Sequence, residues 1–532
     1  MTHHYKFWGW GLADEVVPEK EGAEFTGWIA QLIKHQGGLD APTPAPTVDE
    51  IQLRAPRLDV PSDLTAICST TAEDRLIHHY GKSYFDAARC FERQFDNPPD
   101  VVARPRNEQE LIQVMAWAER VGAALIPYGA GSSVVAGIEG RNCEGFNGVI
   151  TLNTQALDQV LEIDPVSRAA RVQAGILGPA LESALQPHGL TLRHFPQSFQ
   201  YSTLGGWIAC RAAGHYATRL THIDDVTQAV RMVTPRGVAE TRRLPSSGSG
   251  PAPDRLWLGS EGTLGIITEA WMRLQGRPDF RDGATVYFDD YFKGAQAVRA
   301  ILQAGYAPAN CRLISAQEAQ SQRAANGSKH LLVLGFESSH GPVDRDLAAA
   351  LEIAASFGGS TTAGAEAGGD SNSWRRAFLR LPYYREVLTS YGFMLDTFAS
   401  AITWERFEAF HHAVKADTEK AILEVTGQPG LVTTRFSHAY VDGPAPYFTF
   451  FAKGTPGQLS RQWREIRHAA LDSVIRHGGP ATHHQAIGRD HRPFYDKERP
   501  EATAQILRAA KSALDPSGML NPGVLIDAQK PH

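Results

Sequence analysis

Three glycine- and hydroxyl-rich segments, set far apart in the chain, constrain the fold most. They are Pro127-Tyr-Gly-Ala-Gly-Ser-Ser133, Gln197-Ser-Phe-Gln-Tyr-Ser-Thr-Leu-Gly-Gly-Trp207, and Gly259-Ser-Glu-Gly-Thr-Leu-Gly265, which runs on into Ile266. Glycine lets a backbone approach a ligand closely and present successive N–H groups to a pyrophosphate. The serine and threonine hydroxyls add donors. A Rossmann fingerprint fits poorly: Val134 stands where the third glycine belongs, and the loop runs to Gly137 and a Gly- and Asn-bearing stretch rather than into a helix. The remaining alternative is three unrelated surface turns.

The chain of 532 residues is too long for one ordinary core, so two or more domains are expected. With 42% hydrophobic and 21% charged residues it reads as globular. A net charge of −6, with no long basic run, argues against a nucleic-acid partner. The five cysteines are scattered without a CxxC, which argues against a disulfide framework or a zinc site and fits a reducing, cytoplasmic setting. No apolar run reaches membrane-spanning length, and Met1–Lys6 lacks the apolar core of a signal peptide. The ending Lys530-Pro-His532 is not a peroxisomal address.

Residues 1–95 read as an extension. Apolar spacing predicts a helix over Glu24–Gln36, followed by the Pro-rich connector Ala41–Pro46. The adjacent His78 and His79 point to different faces of any regular element and read as structural. Helix–strand alternation begins near Pro98. A capping-box-like start at Asn107–Glu110, a buried strand at Ala123–Ile126 and a hairpin about Pro165–Arg168 place residues 96–276 together as one domain. Strands are expected at Ala284–Phe288, Leu331–Leu334, Phe393–Leu395 and Tyr447–Phe451, with helices between them. Residues 277–500 therefore read as a second domain with an antiparallel sheet covered on one face. Gly364–Ser373 reads as a mobile loop, and 501–532 as a helix and a turn.

These segments resemble the vanillyl-alcohol oxidase (PCMH-type) superfamily of flavoproteins, and within it the alkyldihydroxyacetonephosphate synthase-like branch. The likeness runs from Lys6-Phe-Trp-Gly-Trp-Gly11 to Asp515-Pro-Ser-Gly-Met-Leu-Asn-Pro-Gly523 and is most specific over Ser202–Gly214. It implies an α+β fold, a PCMH-type FAD-binding domain plus a cap, with the tail returning to the FAD domain. It also implies FAD, held noncovalently because the first loop has no histidine. The candidate cofactor contacts are Pro127, Tyr128, Gly129, Ala130, Gly131, Ser132 and Ser133; Gln197, Ser198, Ser202, Thr203, Gly206, Cys210 and Ala213; and Glu261, Gly262, Thr263, Gly265 and Ile266.

Three stretches of the cap could carry chemistry. Arg385, in Pro382-Tyr-Tyr-Arg-Glu386, matches a substrate-binding arginine of the family; the alternative is a surface arginine paired with Glu386. Tyr447 matches the family's catalytic tyrosine, and otherwise reads as a core aromatic. His483 and His484 stand where the synthases have three histidines, with Gln485 in the third place; the alternative is a pair of polar loop residues. Ser246 replaces an arginine important in the synthases. His438 lacks a second histidine at metal-binding spacing, so no metal is expected.

The resulting expectation is an FAD-dependent oxidoreductase that oxidises an alcohol or 2-hydroxy-acid-like substrate by hydride transfer to flavin N5. The substrate is a small molecule, lipid-like or anionic, and a homodimer is compatible with the resemblance. The alternatives are alkyldihydroxyacetonephosphate synthase itself, which exchanges acyl for alkyl without net redox, and a catalytically silent flavin-binding protein.

Overall fold

The computed structural model describes residues 5–361 and 371–527, the stretch 371–379 by its backbone alone. Most of the Gly364–Ser373 break lies outside the described residues, as do Met1–His4 and the last five positions. Helices and largely antiparallel sheets make the α+β fold that the sequence predicts.

Two sheets carry the glycine-rich loops. A four-stranded sheet has the order Cys68–Ser69, Val101–Ala103, Val149–Asn153, Ala124–Tyr128, and its last three strands are parallel. The helix Glu108–Val121 joins two of them. It opens at Asn107, whose Oδ1 accepts the Glu110 N–H at 2.9 Å, and closes at Gly122 in the left-handed region. The capping box is only half made, because the Glu110 carboxylate reaches back to the Arg106 N–H at 2.7 Å instead of to the cap's own amide. An antiparallel five-stranded sheet follows, ordered Val160–Asp164, Ala169–Gln173, Ile266–Arg273, Thr227–Thr234, Gly237–Glu240. Its first two strands form the expected hairpin, closed by Asp164 Oδ1 accepting the N–H groups of Val166 and Ser167 at 3.0 Å.

A third sheet has six antiparallel strands in the order Phe280–Phe288, His330–Ser338, Asn310–Ile314, Leu431–Ala439, Pro444–Lys453, Phe393–Ala399. The four strands read from the sequence lie in it, each longer than expected. The sequence reading passes over Asn310–Ile314 and Leu431–Ala439, because Arg312 and Arg435 interrupt their apolar runs. Alternation divides the two faces. Val286, Leu334, Phe436, Phe448 and Phe450 face the helices Tyr291–Gln303, Asp344–Ser356, Trp404–Thr426 and Leu459–Arg476 in one core.

The expectation of a one-sided cover is corrected. At one end of the other face, Phe393, Leu395 and Phe451 pack against Phe25 and Ile29 of the helix Glu19–Leu32 and against Leu381 and Leu388 of the helix Ser371–Ser390. The first of these helices starts about a turn earlier than its apolar spacing suggests. Its first turn is acidic, with Glu19 and Glu21 favourably placed at the positive end of the helix dipole. Elsewhere on that face Ile314, Leu331 and Val333 pack with Ala319 and Ala324, while Arg312, Thr397, Arg435 and Tyr447 turn toward the cofactor loops.

The helix Glu501–Leu514 brings the tail back to the first sheet. The buried Lys511 Nζ donates to Thr263 O at 2.8 Å, Leu520 O at 2.6 Å and Asp515 Oδ2 at 2.6 Å. Leu520 then lies beside Leu125 as a short parallel bridge, and Met519 and Leu520 join the core of the four-stranded sheet.

Candidate active site

Two adjoining cavities, of about 250 and 110 Å³, lie among the three glycine-rich loops, the larger also bounded by the polar face of the six-stranded sheet. The larger is lined by Gly129, Ala130, Gly131, Ser132, Ser133, Gln197, Ser198, Ser202, Thr203 and Ala213. Pro127, Tyr128, Glu261, Gly262, Gly265 and Ile266 line the smaller, and Gly206 and Cys210 line both. Thr263 lines neither: its hydroxyl donates to Ser260 O at 2.7 Å and closes a turn.

Two glycines divide the work of the cradle. Gly131 has φ +77°, and a Cβ there would stand 2.1 Å from the Tyr128 hydroxyl, so the loop's own shape demands glycine. Gly206 is different. A Cβ there would meet only Thr203 Oγ1, at 3.2 Å, and otherwise project into open space. The room left by its missing side chain is what a closely approaching cofactor requires.

Glu261 fastens the cradle to the histidine-bearing loop. Its carboxylate accepts the N–H groups of Ile487 at 2.8 Å and Gly488 at 2.7 Å. Burial outweighs both bonds and pushes its carboxyl up to about 7. Arg489 adds a bond from its N–H to Val135 O at 2.9 Å.

On the sheet, Arg435, Tyr447 and Ala399 are register partners across three strands, and Thr397 sits two pairs along. Tyr447 therefore meets Thr397 on the same face, hydroxyl to hydroxyl at 2.7 Å. The Arg435 guanidinium lies 4.1 Å from the Tyr447 ring centroid and is ion-paired with the buried Glu318. A β-bulge between Phe436 and His438 puts an extra residue, Ser437, into this strand, and both Ser437 and His438 reach the larger cavity.

Arg385 also lines that cavity and donates to the Lys82 carbonyl. It is not paired with Glu386, whose carboxylate takes Lys6 at 3.0 Å instead. The Lys82 side chain, half-buried and donating to Lys6 O at 2.7 Å, lines the cavity as well. Lys82, Arg312, Arg385 and Arg435 thus surround a space whose one acidic lining residue, among the described residues, is Asp396, and its Oδ2 accepts from Trp463 Nε1 at 2.8 Å. Lys82, Arg312, Arg435 and Thr397 are absent from the sequence reading. An arginine at the centre of an otherwise apolar strand is the signal that could have found two of them.

The histidines separate. His484 lines the cavity with Tyr447, their rings stacked at 5.8 Å. His483 stands behind it, facing another cleft. Their Nδ1 atoms are 2.9 Å apart. Burial and neighbouring imidazoles hold His484 down at about 3, and His438 and His483 well below the usual imidazole value. His438, His483 and His484 place ligand-capable atoms within 4.8 Å of one another. No carboxylate joins them among the described residues, and hydrogen bonds to Gly214 O, Ser437, Tyr440 and each other engage five of the six nitrogens. Gln485 lines the larger cavity with its Oε1 unpartnered, whereas Ser246 is exposed and lines neither cavity.

Residues 99–242 match the model of an FAD binding domain, and residues 277–525 match the FAD linked oxidases, C-terminal domain. The chain belongs to the FAD-linked oxidases. Within them it is of the alkyldihydroxyacetonephosphate synthase-like branch, and its cofactor is FAD. This FAD-linked oxidase is 28% identical to the alkyldihydroxyacetonephosphate synthase of Dictyostelium discoideum over 86% of the chain and 78% of the relative. It is 26% identical to the mitochondrial cytochrome D-lactate dehydrogenase of Arabidopsis thaliana over 88% of the chain and 80% of the relative. A solved alkyldihydroxyacetonephosphate synthase superposes with a TM-score of 0.79 at 25% identity, covering 97% of each chain. The FAD-linked oxidase is an FAD-dependent oxidoreductase, and no helix among its described residues is long and apolar enough to cross a membrane.

Proposed function

We propose that the enzyme oxidises an alcohol or a 2-hydroxy acid carrying an anionic group. The observation that carries this reading is the Tyr447 hydroxyl on a cavity lined by four cationic side chains and one carboxylate. Such a lining favours an anion over a neutral ligand. Arg385 would hold a carboxylate or phosphate, with Lys82 beside it. Tyr447, steadied by Thr397, would take the substrate hydroxyl proton, and the neutral His484 stacked on it can accept a proton in turn. An anion formed there would stand beside the Arg435 charge. Bound FAD would supply the two-electron acceptor.

We assign FAD holding to 96–276 and substrate chemistry to 277–500, with 1–95 and 501–532 completing the site. FAD is noncovalent in this reading: the first loop has no histidine, and burial keeps the Cys210 thiol protonated. Acid precipitation should release all of the yellow colour. A cytoplasmic location and a homodimer belong to the same proposal, to be checked by cell fractionation and light scattering.

The test is anaerobic mixing with glycolate, D-lactate, long-chain alcohols and acyl-dihydroxyacetone phosphate while the flavin band is followed. Bleaching by a hydroxy compound supports oxidation. Exchange of acyl for alkyl without bleaching would replace it with the synthase reaction. The similarity to three synthases favours that second reading, and Ser246 lines neither cavity.

A further inference from the structure

A wider cleft of about 970 Å³ lies on the other side of the histidines, lined in part by Thr221, His222, Tyr440 and His483. One line of hydrogen bonds joins it to the cavity that holds Tyr447. His484 Nδ1 is 2.9 Å from His483 Nδ1. His483 Nε2 is 2.8 Å from the Tyr440 hydroxyl, which is 3.1 Å from Thr221 Oγ1. Thr221 Oγ1 is 3.2 Å from His222 Nδ1. At the far end, His222 Nε2 meets the backbone carbonyl of His483 at 3.2 Å.

That carbonyl sets the direction of the whole line, because a carbonyl can only accept. In its uncharged form His222 carries its one ring proton on Nε2, so its Nδ1 accepts from Thr221. Thr221 then accepts from Tyr440, Tyr440 from His483 Nε2–H, and His483 Nδ1 from His484 Nδ1–H. The atom left without a hydrogen-bond partner among the described residues is His484 Nε2, an acceptor on the one member that lines the reaction cavity. We propose that these five side chains form a proton path, taking a proton from the reaction cavity at His484 and delivering it to His222 in the cleft.

This rests on the proposed oxidation, which releases a hydroxyl proton into a confined cavity. The substrate O–H bond breaks, directly or through Tyr447, and an Nε2–H bond forms on His484. The Nδ1 proton of His484 passes to His483 Nδ1, and the Nε2 proton of His483 to the Tyr440 oxygen. The Tyr440 proton passes to Thr221, and the Thr221 proton to His222 Nδ1. One proton crosses and each atom keeps its valence; the substrate C–H bond also breaks, and its hydrogen would leave with both electrons as hydride to bound FAD, without using this path. The imidazolium left on His222 faces the cleft and returns its proton to solvent. Burial holds His483 and His484 uncharged at rest, so they pass a proton on and do not store it.

The test begins with the holoenzyme labelled with ¹⁵N-histidine and read by long-range ¹H–¹⁵N correlation. His484 is expected as the Nδ1–H tautomer, and His222 and His483 as Nε2–H tautomers. His484 found as the Nε2–H tautomer overturns the path. In a second arm, Tyr440→Phe and Thr221→Val, both outside the reaction cavity, should each slow anaerobic bleaching by glycolate or D-lactate by roughly 10²-fold or more. FAD content and substrate affinity should be unchanged, and the double variant should be no slower than the worse single one, as for groups acting as a unit. Bleaching at the native rate in both single variants overturns the path. If no hydroxy compound bleaches the native enzyme, the proposed oxidation fails, and the tautomers still decide the path.

Discussion

Tyr447 shows why a single side chain has to be read with its neighbours. In the sequence it is one aromatic in a run of aromatics; in the fold its hydroxyl meets Thr397 at 2.7 Å on the polar face of a sheet. Tyr447→Phe removes that hydroxyl and little packing. Flavin absorbance and melting temperature should be nearly unchanged, while turnover of any accepted substrate falls by roughly 10²–10⁴-fold. Native turnover in this variant would return the residue to the core. The two cradle glycines make a matched pair of predictions. Gly206→Ala should leave the FAD-free protein as stable as before and weaken FAD binding by about tenfold or more, read by fluorescence titration. Gly131→Ala should lower stability itself by at least about 1–2 kcal/mol in denaturant unfolding, because φ +77° is costly with a Cβ and Tyr128 blocks the space.

Among the elements, the glycine-rich loops are legible because backbone approach requires particular residues at particular places. Strands with clean apolar patterns are legible for the same kind of reason. Leu431–Ala439 is not, because its central Arg435 finds a buried partner, Glu318, more than a hundred positions away, and nothing local announces that pairing. Lys82 is hidden likewise: its neighbours in sequence are histidines and a turn, and its place in the cavity comes only from the fold. The loop holding His483 and His484 depends on Glu261. In the folded chain this carboxyl has been pushed up to about 7 from an ordinary 4.5, so the folded state binds the proton more tightly than the unfolded state. The resulting stability is fully present below about pH 4.5 and is lost as pH rises to about 7, on the order of 3 kcal/mol in all. His438, His483 and His484, held below the usual imidazole value by burial, act in the opposite sense, because they gain protons only on unfolding. The Glu261 share is therefore read as a difference: the melting temperature of Glu261→Gln minus that of the native protein should rise across that window. A difference that does not change with pH would remove Glu261 as its source.

At the scale of the whole molecule, parts from both ends of the chain meet around one site. Trp10 and Lys82 reach the larger cavity from the N-terminal side, and Lys511 ties the tail to Thr263 beneath the third loop. Lys511→Met would leave the buried Asp515 carboxylate without its partner. It should cost about 3–5 kcal/mol, read by denaturant unfolding, and lower FAD retention with it. Loss of stability without loss of FAD would separate the tail from the cradle. The bridge between Leu125 and Leu520 has a consequence for how the protein is made. The strand that leads into the first loop gains this neighbour only after Leu520 has left the ribosome. A stalled nascent chain ending short of Asp515 therefore lacks part of the cradle and should emerge colourless, turning yellow only when the missing residues are added.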